Sequence, residues 1–139
     1  MYFSFSNNQI NRENIISKKV AEEEVIHITP NTMHYPEFFL DHDKHDQTLI
    51  NFLKFHGKSF EVKRNFFADI YGIIDAVSLG YGQAAVSKHL VKNNKLIKEK
   101  KYKRKMITPV FLSYYQRSYS PFIHSKVIET LIQDITKFL

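Results

Sequence analysis

The chain contains no cysteine in 139 residues, which excludes disulfides and every form of thiolate chemistry. No apolar run approaches the roughly 20 residues that a membrane-spanning helix needs. The opening MYFSFSNNQINRE has neither the basic start nor the apolar stretch of a secretory signal, and a cytoplasmic location is therefore expected. G-x-S-x-G is missing, and with it the strained turn that presents a serine nucleophile. So is H-E-x-x-H, the helical zinc-protease signature. We find no internal repeat, no low-complexity tract and no linker long enough to separate two domains. The remainder, 43% hydrophobic and 24% charged, has the proportions of a soluble globular domain with a core of its own. Catalysis, a metal and a cofactor are all expected to be absent.

The most legible stretch is Phe67 to Val91, FADIYGIIDAVSLGYGQAAVSKHLV. Asp69 can cap a helix, and Ile70, Ile73, Ile74 and Val77 then fall on one helical face. Gly80 tolerates the left-handed turn that ends it. Gln83 to Val86 is short, small and apolar, as suits a strand buried on both faces, and Ser87 can cap a short helix from Lys88 to Val91. Gly80-Tyr-Gly82 is not a dinucleotide fingerprint. Ala85 stands where the third glycine would be, and the order runs from helix to strand, the reverse of a phosphate cradle.

Val77-Ser-Leu-Gly80-Tyr-Gly82-Gln-Ala-Ala-Val86-Ser-Lys-His-Leu90-Val91 resembles the C-terminal effector-binding domain of LysR-type transcriptional regulators. Asp41-His-Asp-Lys-His-Asp46-Gln-Thr48 looks like the effector loop of one subgroup. Val110-Phe-Leu-Ser-Tyr114, an Arg, Ser120-Pro121 and a last helix look like the family's C-terminus. The resemblance implies an α/β fold with a mixed sheet flanked by helices, like one lobe of a type II periplasmic-binding-protein-like domain. It divides the chain into residues 1–118, like the second subdomain, and a C-terminal helix, 119–139.

The remaining elements follow in order. Tyr2 to Phe5 alternates as a short strand does, and Asn7 to Asn14 is a polar turn region. Val25 to Ile28 reads as a strand, with His27 on either face. Pro30 to Pro36 is a loop, and Phe38 to Leu40 a strand. Asp46 is a good cap for a helix whose Leu49, Phe52, Leu53 and His56 share a face, closed by Gly57. Phe60 to Phe67 reads as a strand, and so does Ile107 to Tyr115. Ser120-Pro121 opens a final helix with a stripe of Ile123, Val127, Leu131, Ile135 and Phe138. Strands alternating with helices point to α/β.

The formal net charge is +6, much of it between Lys92 and Lys105. That run reads either as a solvated, mobile loop or as a phosphate-contacting patch. The hexad DHDKHD is open to three readings. His42 and His45 with Asp41, Asp43 and Asp46 carry imidazole and carboxylate, the donors of transition metals, and would make a metal-dependent hydrolase built on His42, His45 and Asp46. A solvated turn is the second. The third is a ligand loop at a helix N-terminus, where free N–H groups and the helix dipole favour an anion.

The resemblance supports the last of these. It implies a small anionic effector held by Asp41, His42, His45, Asp46, Gln47 and Thr48, with Phe67, Ala68 and Asp69 at a second edge. It also implies that DNA is contacted only through an N-terminal helix-turn-helix domain, for which this chain has no room, and that half of the effector cleft is missing. The C-terminal stripe is too apolar to stay in water, so it either folds back on its own sheet or pairs with a second copy. A homodimer is the expectation.

Overall fold

The structure is a computed structural model, and it describes residues 3–115 and 121–138. Its elements are β1 (Phe3–Ser6), β2 (Ile15–Pro30), β3 (Phe39–Asp41), α1 (Thr48–Phe55), β4 (Arg64–Phe66), α2 (Ile70–Ser78) and β5 (Ala84–Ser87). A 3-10 turn at Lys88–Val91, then β6 (Ile97–Lys100), β7 (Met106–Tyr115) and α3 (Pro121–Phe138) complete it. Among the described residues no helix is long and apolar enough to cross a membrane. The chain divides into two compact units, Glu24–Met106 and the pair of segments Met1–Glu23 with Ile107–Leu139. The expected division at 118/119 and the cap Ser120 lie outside the described residues.

In the unit 24–106, the later half of β2 pairs antiparallel with β5 (Ile26 opposite Val86) and with β6 (Ile28 opposite Glu99). The short β3 runs parallel to β4, with Asp41 opposite Phe66. It is also bridged in parallel to Gln83, so that Leu40 donates to the Gln83 carbonyl at 2.8 Å and Gln83 to the Phe38 carbonyl at 3.0 Å. Parallel and antiparallel pairs together make the mixed α/β class expected from the sequence. Alternation of strand and helix holds only from β3 to the 3-10 turn; β6 and β7 follow one another directly.

Both faces of this sheet are covered, which explains why its strands read as unbroken apolar runs. On one face Ile26, Ile28, Leu40, Ala84 and Val86 pack against Ile73, Ile74, Ala76 and Val77 of α2. On the other, Val25 and Phe39 pack against Leu49, Phe52 and Leu53 of α1. Phe52, Leu49, Ile28 and Val77 are essentially sealed, each worth about 1.5–3 kcal/mol of burial. Both helices end in the same way. Tyr81 donates to the Ala76 carbonyl and Gly80 to that of Val77; Lys58 donates to the Leu53 carbonyl and Gly57 to that of Lys54. These are Schellman caps, with Gly80 (φ +90°) and Gly57 (φ +65°) in the position that disfavours a side chain.

The charged stretch Lys18 to Glu24 belongs to the sixteen-residue β2. Three local expectations change. The basic run contains a strand, β6, with Ile97 and Glu99 turned inward. The expected strand at 60–67 shrinks to Arg64–Phe66. Ser87 makes no side-chain cap.

In the other unit, β1 pairs antiparallel with β7. Leu112 and Tyr114 of β7 pack against Ile128 of α3, with Phe3, Ile16, Val20, Leu131 and Ile132 around them. Thus α3 folds back on the sheet of its own unit. Its inner face is Ile128, Leu131 and Ile132, rotated from the expected stripe, and Val127 and Ile135 are only half-buried.

Candidate functional site

The expected ligand residues gather at the C-terminal ends of the parallel pair β3–β4. Asp41 ends β3 and is buried. Its Oδ1 accepts from the His42 amide at 2.8 Å and its Oδ2 from Arg64 of β4 at 3.3 Å. Burial pushes its carboxyl above the usual range, against the pull of the His42 amide and Arg64. The Asp41 carbonyl accepts from the Phe67 amide at 2.9 Å. The segment 67–69 is thereby laid beside the hexad. Asp69 then turns to α2, accepting from the Gly72 amide at 2.7 Å, as the capping pattern predicts.

The hexad is a structured loop. Asp43 Oδ1 accepts from the amides of His45 and Asp46 at 2.7 and 2.9 Å, and its Oδ2 meets His42 Nδ1 at 3.1 Å. Those bonds hold the Asp43 carboxyl below its ordinary range and raise the His42 imidazole, which the Ala68 backbone also favours in its charged form. Asp46 Oδ1 accepts from the Thr48 amide at 2.8 Å. Asp46 thus serves α1 from one residue before the N-cap, Gln47, which makes no side-chain cap. The aspartates are spent on the loop's own N–H groups. What faces solvent is His42, Lys44, His45, Gln47 and Thr48, with Ala68 at the second edge.

This geometry removes support for the metal hydrolase. Among the described residues no group of three or more His, Asp or Glu side chains is placed to hold a metal ion. In the hexad, Asp43 is bonded to His42, and Asp46 to the backbone of Thr48.

A second polar cluster lies in the same unit, assembled from positions too far apart in sequence to be foreseen. His27, left on either face by the sequence, is buried on the α1 side. Its Nε2 lies 2.7 Å from Gln83 Oε1 and its Nδ1 2.7 Å from the Tyr102 hydroxyl. An amide oxygen only accepts, so Nε2 carries the proton and Nδ1 accepts from Tyr102. The Gln83 amide group in turn donates to the Glu37 carbonyl at 3.4 Å. Burial, with Lys100, Lys58 and His56 nearby, lowers the His27 pKa to about 4. Tyr102 stacks on His56, ring centroids 4.1 Å apart.

No protein-family model matches the chain, and no curated protein matches it in sequence. Solved structures match its shape. Full-length LysG from Corynebacterium glutamicum, with bound effector Arg, aligns with a TM-score of 0.72 at 7% identity, over 94% of this chain and 50% of LysG. The regulatory domain of MetR from N. meningitidis, a LysR family regulator, gives 0.71 at 12% identity, over 98% and 71%. The Synechocystis PCC6803 CcmR regulatory domain, in complex with 2-PG, gives 0.68 at 12%, over 94% and 72%. The chain spans about half the length of the full-length regulator. At such identities a shared shape speaks for the fold alone. The chain has the α/β, periplasmic-binding-protein-like fold of the regulatory domains of LysR-type transcriptional regulators.

Proposed function

We propose that the chain is the effector-sensing part of a LysR-type transcriptional regulator. It binds a small anionic effector at Asp41–Thr48 and Phe67–Asp69 and passes the change to a DNA-binding helix-turn-helix domain outside these 139 residues. The observation that supports this best is the bond from the Phe67 amide to the Asp41 carbonyl, 2.9 Å. It sets the two loops side by side beyond the strand ends of an α/β sheet, where such folds take ligands. LysG and CcmR, of the same fold, are solved with small ligands, Arg and 2-PG. The role is binding in the cytoplasm, without catalysis.

Three aspartates beside the loop oppose an anion, so affinity should be near millimolar, about 4 kcal/mol. A thermal-shift screen of small carboxylates tests this. Ligand at tenfold above its Kd adds about 1.4 kcal/mol, or roughly 5 °C for a domain of this size. A full carboxylate panel that leaves the midpoint unmoved would count against the assignment.

Self-association belongs to the same proposal. With the inner face of α3 covered by its own sheet, the dimer rests on the half-buried Val127 and Ile135. Sedimentation at several concentrations is expected to show a dimer that dissociates in Ile135→Asp. A chain that stays monomeric at high concentration would remove it.

A further inference from the structure

At the C-terminal end of α1 the unit 24–106 holds a cleft of about 90 Å³ that the effector loops do not use. Val25, Phe52 and Met106 contribute its apolar lining, and Tyr102 and His56 stand in its wall. Tyr102 is fixed in place: its hydroxyl is bonded to His27, its ring is stacked on His56, and Lys58 Nζ lies 5.2 Å from the ring centre.

The charge around this recess is unbalanced. Its two acids, Glu24 and Glu99, are both engaged. Lys88 lies 3.8 and 3.7 Å from them, and Lys101 lies 2.9 Å from Glu99. Three further cations line the cleft, Lys100, Arg104 and Lys105. Among the described residues none of the three has a carboxylate partner within ion-pair distance. The Arg104 guanidinium instead lies 4.3 Å from the centre of the Phe55 ring. The C-terminus of α1 adds partial negative charge, and Lys54 in its last turn offsets it. The positive field reaches the ring in the wall: burial, Arg104 and Lys58 all hold the His56 imidazole below its ordinary pKa.

At about 90 Å³ the recess is smaller than the cavity of about 150 Å³ that takes up benzene, which suits a compact group such as a tetrahedral oxyanion or a carboxylate. Guanidinium and ammonium groups are the usual partners of phosphate, and three of them, without a carboxylate among the described residues, line this recess. We propose that this cleft is a second ligand site, for a compact oxyanion of the phosphate class, with Lys100, Arg104 and Lys105 as its charged partners and the His56–Tyr102 stack as its wall. The site is separate from the effector loops. They lie at the N-terminus of α1 and the cleft at its C-terminus, eight residues apart, or about 12 Å along the axis.

The test is NMR of the 139-residue chain titrated with inorganic phosphate, against sodium chloride at matched ionic strength. Phosphate is expected to give saturable shifts of the His56 and Tyr102 rings and the Met106 methyl, and to bring the His56 pKa up toward its ordinary value. Chloride should do neither. The double variant Arg104→Gln, Lys105→Gln alters two exposed residues, leaves the core intact, and should weaken phosphate at least tenfold. Equal responses to chloride, unaltered affinity in the double variant, or no saturable change at these three residues would each overturn the site. Shifts confined to the amides of 42–49 would overturn it too, while leaving the effector loops as the anion site.

Discussion

Replacing Gly82 with alanine is expected to cost the fold about 3 kcal/mol, the upper range for overpacking a filled core. A Cβ there would sit 2.7 Å from the Phe38 carbonyl oxygen and 3.1 Å from Leu40 Cδ2. The nearest atom is backbone and cannot swing aside. The same carbonyl accepts from Gln83, so relief of the clash means lifting β3 off β5, and the hexad loop leaves the sheet from the end of β3. Gly57 is the control. It has φ +65°, and a Cβ at that position would meet nothing within 4 Å. Gly57→Asn should be nearly neutral because asparagine tolerates that region. Urea unfolding of the two variants distinguishes the cases. A Gly82→Ala midpoint equal to that of the parent chain would show that the β3 contact carries little.

Acid should unfold the chain through His27. The unfolded imidazole takes its proton near 6.5, the folded one only near 4. Between those values the unfolded state binds more protons, so stability rises with pH across the window. The contribution is complete above about 6.5 and is lost as pH falls toward 4. At about 1.4 kcal/mol per pKa unit this amounts to about 3 kcal/mol. The physical cause is plain. A charged His27 donates from both nitrogens, so it loses the Tyr102 hydroxyl as a donor and faces Lys100, Lys58 and His56 in a buried place. His27→Gln should lower stability at pH 7 yet flatten its slope between pH 4 and 6.5. A slope that persists unchanged in that variant, or a His27 resonance titrating near 6.5, would refute the assignment.

The elements that can be read from the sequence are those whose signals are local. In α2, the Asp69 cap, the Ile73–Ile74–Val77 face and Gly80 lie within a dozen residues, and each does what its chemistry predicts. The hexad and the Phe67–Asp69 segment can be named as neighbours only through the resemblance, because the register that joins them belongs to a parallel pair with no hairpin between its strands. His27 cannot be oriented from sequence because Val25 to Pro30 is buried on both faces, and a strand without a wet side has no parity to read. β6 is hidden because its inward Glu99 looks like a surface charge until Lys88 and Lys101 are seen beside it. The rotated face of α3 escapes for a simpler reason. A spacing of four picks out one edge of a helix, whereas Ile128, Leu131 and Ile132 follow the mixed three-and-four spacing of a packed face.

The central claim is that the loops after β3 and β4 form one ligand site. Amide chemical-shift mapping of the 139-residue chain with the best carboxylate from the screen tests it most directly. The account predicts saturable shifts in residues 42–49 and 67–70 together, with one dissociation constant near millimolar. Saturable shifts elsewhere with both loops still, or shifts in one loop without the other, would contradict it.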